Sequence, residues 1–345
     1  SIVAGGPHAA GAYWQVLRAG AEVAVVGDGE NAILGLLEYY MGDLDLSSVP
    51  NIAFREEGRF RVTRIESVDL DNYRPYSKTI NILPPIEIMR GCSYNCSFCQ
   101  VPFLFKKRVR FRSVESVVDA VKYYVSNGKT LIRFVAPVGL AYQSPDGRRP
   151  NPEALEALLR SVRKHGGKPF LGTFPSETRP EQVTRDTLDV LRRYAENTRL
   201  AIGMQSGSDR VLALVNREHT VEDVFRAVKL SISYGFTPVV DIIMGLPGEE
   251  EEDIRETINA MEKLIAMGAK LRLHTFIPLP GTPLARVKPR GIHPLYRKFI
   301  RRMLGRGVLE GDWEYQEKLS FKIYELMASD PYPTPEPRPL DKGTS

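Results

Sequence analysis

The chain has 345 residues, 43% hydrophobic and 26% charged, a length at which a single core stops growing and a balance that excludes a disordered or fibrous polypeptide. No apolar run reaches the ~20 residues that cross a bilayer, and the opening SIVAGGPHAAG lacks the basic flank of a signal peptide, so no membrane span and a cytoplasmic location are expected. The formal charge of +5 permits an anionic partner such as nucleic acid without requiring one, because most chains of this balance carry only a solvated basic surface.

Ser1 runs straight into Ile2-Val3-Ala4, as though a domain were entered partway through. In residues 1–72 the pattern predicts a strand from Ile2 to Ala4, a helix from His8 to Ala19, a strand from Glu22 to Val26, a helix from Asn31 to Tyr40 and a hairpin from Asn51 to Thr63. Two parallel strands are too few for a stable sheet of their own. A proline-bearing linker is expected at 73–84.

From residue 85 to 288 a short apolar strand followed by a helix of period 3.6 recurs. The strands are predicted at Ile86 to Met89, Leu131 to Ala136, Pro169 to Thr173, Leu200 to Met204, Pro238 to Met244 and Leu271 to Ile277. Asn151 before Pro152 reads as an N-cap, Thr220 with Asp223 as a capping box, and Gly128, Gly166, Gly235 and Gly268 as C-caps. Six such units predict an α/β fold with consecutive parallel strands in a partial (βα)6 TIM-like barrel, its chemistry at the C-terminal strand ends. A basic helical extension (289–330, helical from His293 to Met327) and a proline-rich disordered tail (331–345) are expected to follow.

All three cysteines lie in RGCSYNCSFCQVP, residues 90–102: Cys92, Cys96 and Cys99. An odd, clustered set argues against a disulfide framework. Thiolates select soft metals, so zinc and iron-sulfur clusters are the candidates, beside the plain reading of three core cysteines. Structural zinc wants four ligands in two separated pairs, and the five histidines are scattered. Four-iron clusters normally take four cysteines, and three leave one iron open.

This C-x3-C-x2-C spacing, with Phe98 before the last cysteine, resembles the cluster motif of the radical S-adenosylmethionine (SAM) superfamily. The resemblance implies a four-iron four-sulfur (4Fe-4S) cluster on Cys92, Cys96 and Cys99, with the open iron chelated by SAM. One-electron reduction, by a donor such as ferredoxin or flavodoxin, then cleaves SAM to a 5′-deoxyadenosyl radical that takes hydrogen from an unactivated carbon.

AIGMQSGSDRVLALVNREHTVEDV (201–224) is similar to the fourth-strand segment of radical enzymes related to methylthiotransferases, which implies Gln205, Ser206 and Gly207 near the methionine and ribose of SAM. DIIMGLPGEEEEDI (241–254) is similar to the fifth-strand segment, with Met244 and Leu246 bordering the adenine; HTFIPLPGTPL (274–284) resembles the sixth. Phe98 joins the implied SAM site. Thr173 and Ser176 offer hydroxyls to the ribose or carboxylate, or else make a Ser/Thr turn. At the second strand Val135-Ala136-Pro137-Val138-Gly139 stands where the family often has Gly-Gly-Glu, so the amino group of SAM is expected to be met by backbone carbonyls or elsewhere.

GGPHAAG (5–11) and VAVVGDGENAI (23–33) resemble the back half of the cobalamin-binding domain that precedes the barrel in one radical SAM class. The implied fold is an incomplete flavodoxin- or Rossmann-like domain. Gly5 and Gly6 at a strand end, Gly27 and Gly29 in a turn, and Glu30 at a helix start are the implied cobalamin contacts. His8 lies outside the context of that class's Asp-x-His-x-x-Gly motif.

The activity so implied is cobalamin-dependent methyl transfer to an unactivated carbon. The alternatives are cobalamin-independent radical chemistry (rearrangement, epimerisation, ring closure or sulfur insertion) and a non-enzymatic iron-sulfur module. A methylthiotransferase is disfavoured because the additional amino-terminal cysteines of that group are missing. KKRVRFR (106–112) reads first as a solvated rim and second as a grip on phosphates. Phe299, Ile300, Met303 and Leu304 form one face of the basic extension, expected to pack on the barrel.

Overall fold

The computed structural model describes residues 1–329; the tail expected to be disordered, 331–345, lies outside the described residues. The first unit contains β1 (Val3–Ala4), α1 (Pro7–Gly11), α2 (Tyr13–Arg18), β2 (Val23–Val25), α3 (Gly29–Met41) and a hairpin of β3 (Ile52–Glu56) and β4 (Arg59–Val62). The single helix expected from His8 to Ala19 is two. Gly11 lies so close to Pro280 that a Cβ there would fall 2.4 Å from its carbonyl oxygen, and Ala12 leaves helical geometry with φ −144°. The hairpin adds antiparallel to β2, so the two parallel strands become a four-stranded sheet, β1-β2-β3-β4. Val23, Val25, Ile52 and Phe54 pack against Ala32 and Leu36 of α3.

The barrel follows as β5 (Ile86–Glu87), β6 (Met89–Arg90), α4 (Val101–Leu104), β7 (Arg110–Phe111), α5 (Val114–Ser126), β8 (Leu131–Val135), α6 (Pro152–Lys164), β9 (Lys168–Phe170), α7 (Arg185–Tyr194), β10 (Arg199–Gln205), α8 (Asp209–Leu214), α9 (Val221–Ser233), β11 (Thr237–Met244), α10 (Glu251–Ala266) and β12 (Lys270–Thr275). Strands β5-β8-β9 and β10-β11-β12 pair in parallel, and single bridges from Ala136 to Ser176 and from Thr178 to Ile202 join the two sets. The third strand position thus runs on beyond β9 to Thr178.

The helix starts follow the sequence signals. Ser113, Asn151 and Thr220 accept from backbone N–H groups of the first turn, and Asp223 answers Thr220 reciprocally. Alternate strand residues divide between two environments. Ile132, Phe134, Ile202, Met204, Val240, Ile242, Leu271 and Leu273 pack with the helices in the main core. The residues between them, among them Gly203, Gln205, Asp241, Arg272 and His274, line the lumen.

The extension, expected to be helical from His293 to Met327, is interrupted by a short strand. It is α11 (Pro294–Met303), β13 (Leu309–Glu310) and α12 (Trp313–Ala328). Gly305, Gly307 and Gly311 adopt positive φ and break the helix, which frees β13 to pair in parallel with β12. Phe299, Ile300 and Met303 are buried as expected, but Leu304 is 58% exposed because the chain leaves the helix there. KKRVRFR is neither wholly rim nor phosphate grip. Arg112, 3% exposed, donates to the carbonyls of Glu87 and Tyr73, and Arg110 pairs with Asp28 and donates to Val68 O. Among the described residues no helix is long and apolar enough to cross a membrane.

Candidate functional site

The cysteine loop leaves β6 at Gly91, whose φ is +85° and whose added Cβ would lie 2.0 Å from Arg108 O. Only glycine fits there. Cys92 and Cys96 are buried and Cys99 half-buried. Ser97 N donates to Val215 O at 3.0 Å, and Tyr94 lies between the Arg148 and Arg179 guanidiniums, 4.6 and 3.5 Å from its ring centre, while its hydroxyl donates to Glu181 at 3.0 Å. Aromatic, cation and carboxylate lock the loop at its middle.

Two buried arginines converge on Cys96. Arg217 Nη1 lies 3.5 Å and Arg179 Nη1 3.8 Å from its Sγ. Arg217 is held by Nη2 donating to Gly203 O at 2.8 Å and Nε donating to His219 Nε2 at 3.0 Å. Burial, with the charges of Arg217 and Arg179, lowers the His219 pKa to about 4, so the ring is neutral and can accept; its Nδ1 donates to Thr220 O. Burial raises the Cys92 thiol and pushes Cys99 up to about 12, so a thiolate at Cys99 needs a bound cation. Among the described residues no group of three His, Cys, Asp or Glu could hold a single metal ion. A four-iron cluster asks for something else, a separate iron on each thiolate, and this soft donor set beside two guanidiniums fits that demand.

Of the expected SAM residues, Gln205 sits on the lumen face at a register break in β10, with φ +77°. Strained backbone of this kind collects at functional sites. Ser206 is buried against Thr257, and Gly207 N donates to Thr257 Oγ1 at 3.0 Å. Leu246 and Phe98 share an apolar cluster with Val211, Val215 and Phe276. Met244 lies on the same face of β11 as Val240 and Ile242, within the main core. Thr173 and Ser176 take the Ser/Thr-turn alternative. Because the third strand continues to Thr178, its end is Arg179, not Thr173; Ser176 Oγ makes a turn with Gly172 N and Thr173 O, and Thr173 lines a cavity at the far end of the lumen.

The first unit covers the barrel mouth. Gln100 Nε2, next to Cys99, donates to Pro7 O at 3.3 Å and Pro280 O at 2.7 Å. An added Cβ at Gly5 would meet only Val25, at 3.8 Å, and at Gly6 and Gly29 nothing within 4 Å. Gly27 instead packs on the Asn51 side chain, and Glu30 is engaged with Arg90, at 2.7 Å.

Sequence reasoning missed Arg179, Arg217, Glu177, Asp241 and Glu249. For Arg179 and Glu249 a charge just beyond a strand end was the available signal, whereas Asp241 lies within β11 and Arg217 beyond α8, where no local signal marks them. Glu249 is 6% exposed, accepts from Tyr296 Oη at 2.7 Å and Gly245 N at 3.1 Å, and burial raises its carboxyl to about 7 from 4.5. Below the lower value both folded and unfolded states are protonated. As pH rises through that window the fold loses stability, on the order of 2–3 kcal/mol. Glu249→Gln is therefore expected to be more stable than the parent at pH 8 and no more stable at pH 4.5, by urea unfolding at both.

The family model for the radical SAM superfamily matches residues 86–261. An uncharacterised protein of Methanopyrus kandleri is 26% identical over 344 residues, covering 83% of this chain and 62% of its own. A tRNA-2-methylthio-N(6)-dimethylallyladenosine synthase of Corynebacterium diphtheriae is 29% identical over 255 residues, covering 71% of this chain and 48% of its own. The chain thus spans about half to three-fifths of the length of the curated relatives it matches. Among solved structures, the radical SAM methyltransferase TsrM from Kitasatospora setae, with cobalamin and a 4Fe-4S cluster bound, superposes with TM-score 0.68 at 18% identity, covering 85% of this chain and 61% of its own. OxsB, a cobalamin-dependent SAM radical enzyme with aqua-cobalamin and SAM bound, gives 0.62 at 19%, covering 76% and 39%. These likenesses show a shared mixed α/β fold with a TIM-like core.

Proposed function

The chain belongs to the radical SAM superfamily, and from that premise we propose that it is a cobalamin-dependent enzyme that transfers a methyl group to an unactivated carbon. Membership carries two cofactors, a 4Fe-4S cluster and SAM. In this reading Cys92, Cys96 and Cys99 hold three irons, and the fourth is left for SAM. When bound, the cluster supplies the single electron for reductive cleavage of SAM, drawn from a donor of the ferredoxin or flavodoxin kind.

The chain's own residues prepare that site. Arg179 and Arg217 hold positive charge against Cys96, offsetting the negative charge of a thiolate-ligated cluster. Phe98 and Leu246 give an apolar wall that excludes water, and Gln205 presents an amide to the lumen. The same reading divides the chain into a corrin-side unit (1–72), a linker (73–84), the radical core (85–288) and the extension (289–330).

The observation that carries the cobalamin half is the docking of α1 over the barrel mouth through Gln100, which sets the open positions Gly5 and Gly6 beside the cysteine loop. A bulky ligand can approach backbone there. The second reading, radical chemistry without cobalamin, is favoured by Gly27 and Glu30, which are already engaged in packing and an ion pair.

One preparation separates the readings. The chain, reconstituted anaerobically with iron and sulfide and loaded with hydroxocobalamin, is expected to keep corrin absorbance through gel filtration and then, given dithionite and SAM, to release 5′-deoxyadenosine. An intact cluster without 5′-deoxyadenosine overturns both enzyme readings; 5′-deoxyadenosine without retained corrin selects the second.

A further inference from the structure

Among the described residues the lumen holds a buried carboxylate oxygen that no donor meets. Asp241, on β11, is 2% exposed and lies 3.2 Å from both Arg272 Nη1 and His274 Nε2, in each case through Oδ1. Its Oδ2 is sealed from solvent and has no hydrogen-bond partner. Glu177 reaches across from the third strand to within 3.4 Å of the same Arg272 Nη1. Gln316 Oε1 accepts from Thr275 N, so its Nε2 donates to His274 Nδ1 at 3.3 Å. That leaves His274 to donate through Nε2 to Asp241 Oδ1 at 3.2 Å. Two carboxylates therefore share one guanidinium, and burial with the nearby Asp241 raises the Glu177 carboxyl.

A buried carboxylate oxygen without a donor is costly, and such oxygens call for an explanation in what they bind. The position supplies one. Asp241 is level in register with Gly203, whose carbonyl holds Arg217, and Arg217 reaches Cys96. The carboxylates thus lie one arginine side chain from the cysteine loop. Beyond Arg272 the lumen opens into a cavity of about 290 Å³ lined by Arg133, Phe170, Thr173, Arg199 and Val239, room for the body of a small molecule.

We propose that the lumen binds its substrate through a protonated amine, whose N–H groups donate to Asp241 Oδ2 and to Glu177. An ammonium brings both N–H donors and a positive charge to the two carboxylates, whereas a hydroxyl brings a single neutral donor. The assignment of this ligand as the substrate rests on the radical SAM reading; its binding does not require the cluster.

Isothermal titration of the full chain at pH 7 with n-butylamine, butyrate and 1-butanol tests it. Butylammonium is expected to bind saturably and at least roughly tenfold more tightly than the other two, and Asp241→Asn and Glu177→Gln each to weaken it roughly tenfold or more. Circular dichroism melts report whether each variant folds, and Glu177→Gln carries the test if Asp241→Asn does not. Equal binding of 1-butanol or butyrate, or butylammonium binding that both folded variants retain, overturns the proposal. Iron content and SAM retention in the same sample report separately on the radical SAM reading: a protein holding both that binds no amine overturns this inference alone.

Discussion

Cys96→Ala is expected to abolish the iron-sulfur chromophore after anaerobic reconstitution and to lower 5′-deoxyadenosine release by at least roughly a thousandfold. The substitution removes a ligand and also an acceptor that two buried arginines share. Arg217, 8% exposed, loses its Cys96 contact and is left with Gly203 O and a neutral His219, while Arg179, 3% exposed, keeps Glu181. Removing the acceptor of a buried guanidinium costs about 1–3 kcal/mol, so the apoprotein should also lose stability. Cys96→Ser, which keeps an acceptor for both arginines, is expected to recover much of that stability but not the chromophore. Iron analysis, absorbance near the charge-transfer bands and urea unfolding read the three effects apart. Full iron retention in Cys96→Ala would remove Cys96 from the ligand set.

Gly91→Ala should be the most damaging single methyl in the cysteine loop. The φ of +85° costs an alanine about 1 kcal/mol. The added carbon, 2.0 Å from Arg108 O and 2.9 Å from Arg108 C, meets backbone, which cannot rotate away. Overpacking adds about 1–3 kcal/mol, for a total of about 2–4 kcal/mol. Gly235→Ala is the control, because its φ is +79° but nothing lies within 4 Å of an added Cβ, so only the backbone cost of about 1 kcal/mol applies. Urea midpoints at constant slope measure both. Equal losses in the two variants would show that the chain does not press on Gly91.

Much of this architecture was legible because its causes are local. Strand and helix periods, the Asn151 and Thr220 caps and the glycine stops act over a few residues and landed as expected. The errors fall where a distant contact overrode a local pattern. Gly11 split the first helix because Pro280 presses on it, and the glycines after Leu304 let β13 pair with β12 where amphipathic spacing pointed to more helix. The apolar run of the third strand stops at Thr173, whereas pairing at Ser176 and Thr178 carries the strand on.

The sequence by itself determined the order of βα units, the soft donor trio at the end of the first strand and the family to which the chain belongs, since each is written in neighbouring residues. The tertiary structure alone decided which charges meet. Arg179 and Arg217 come to Cys96 across 83 and 121 residues, and Glu177 comes to Arg272 across 95. Such meetings depend on sheet register and barrel curvature, which place lumen-facing side chains from different strands at one level. No local period encodes that level, so the orphaned oxygen of Asp241 became visible only in the fold.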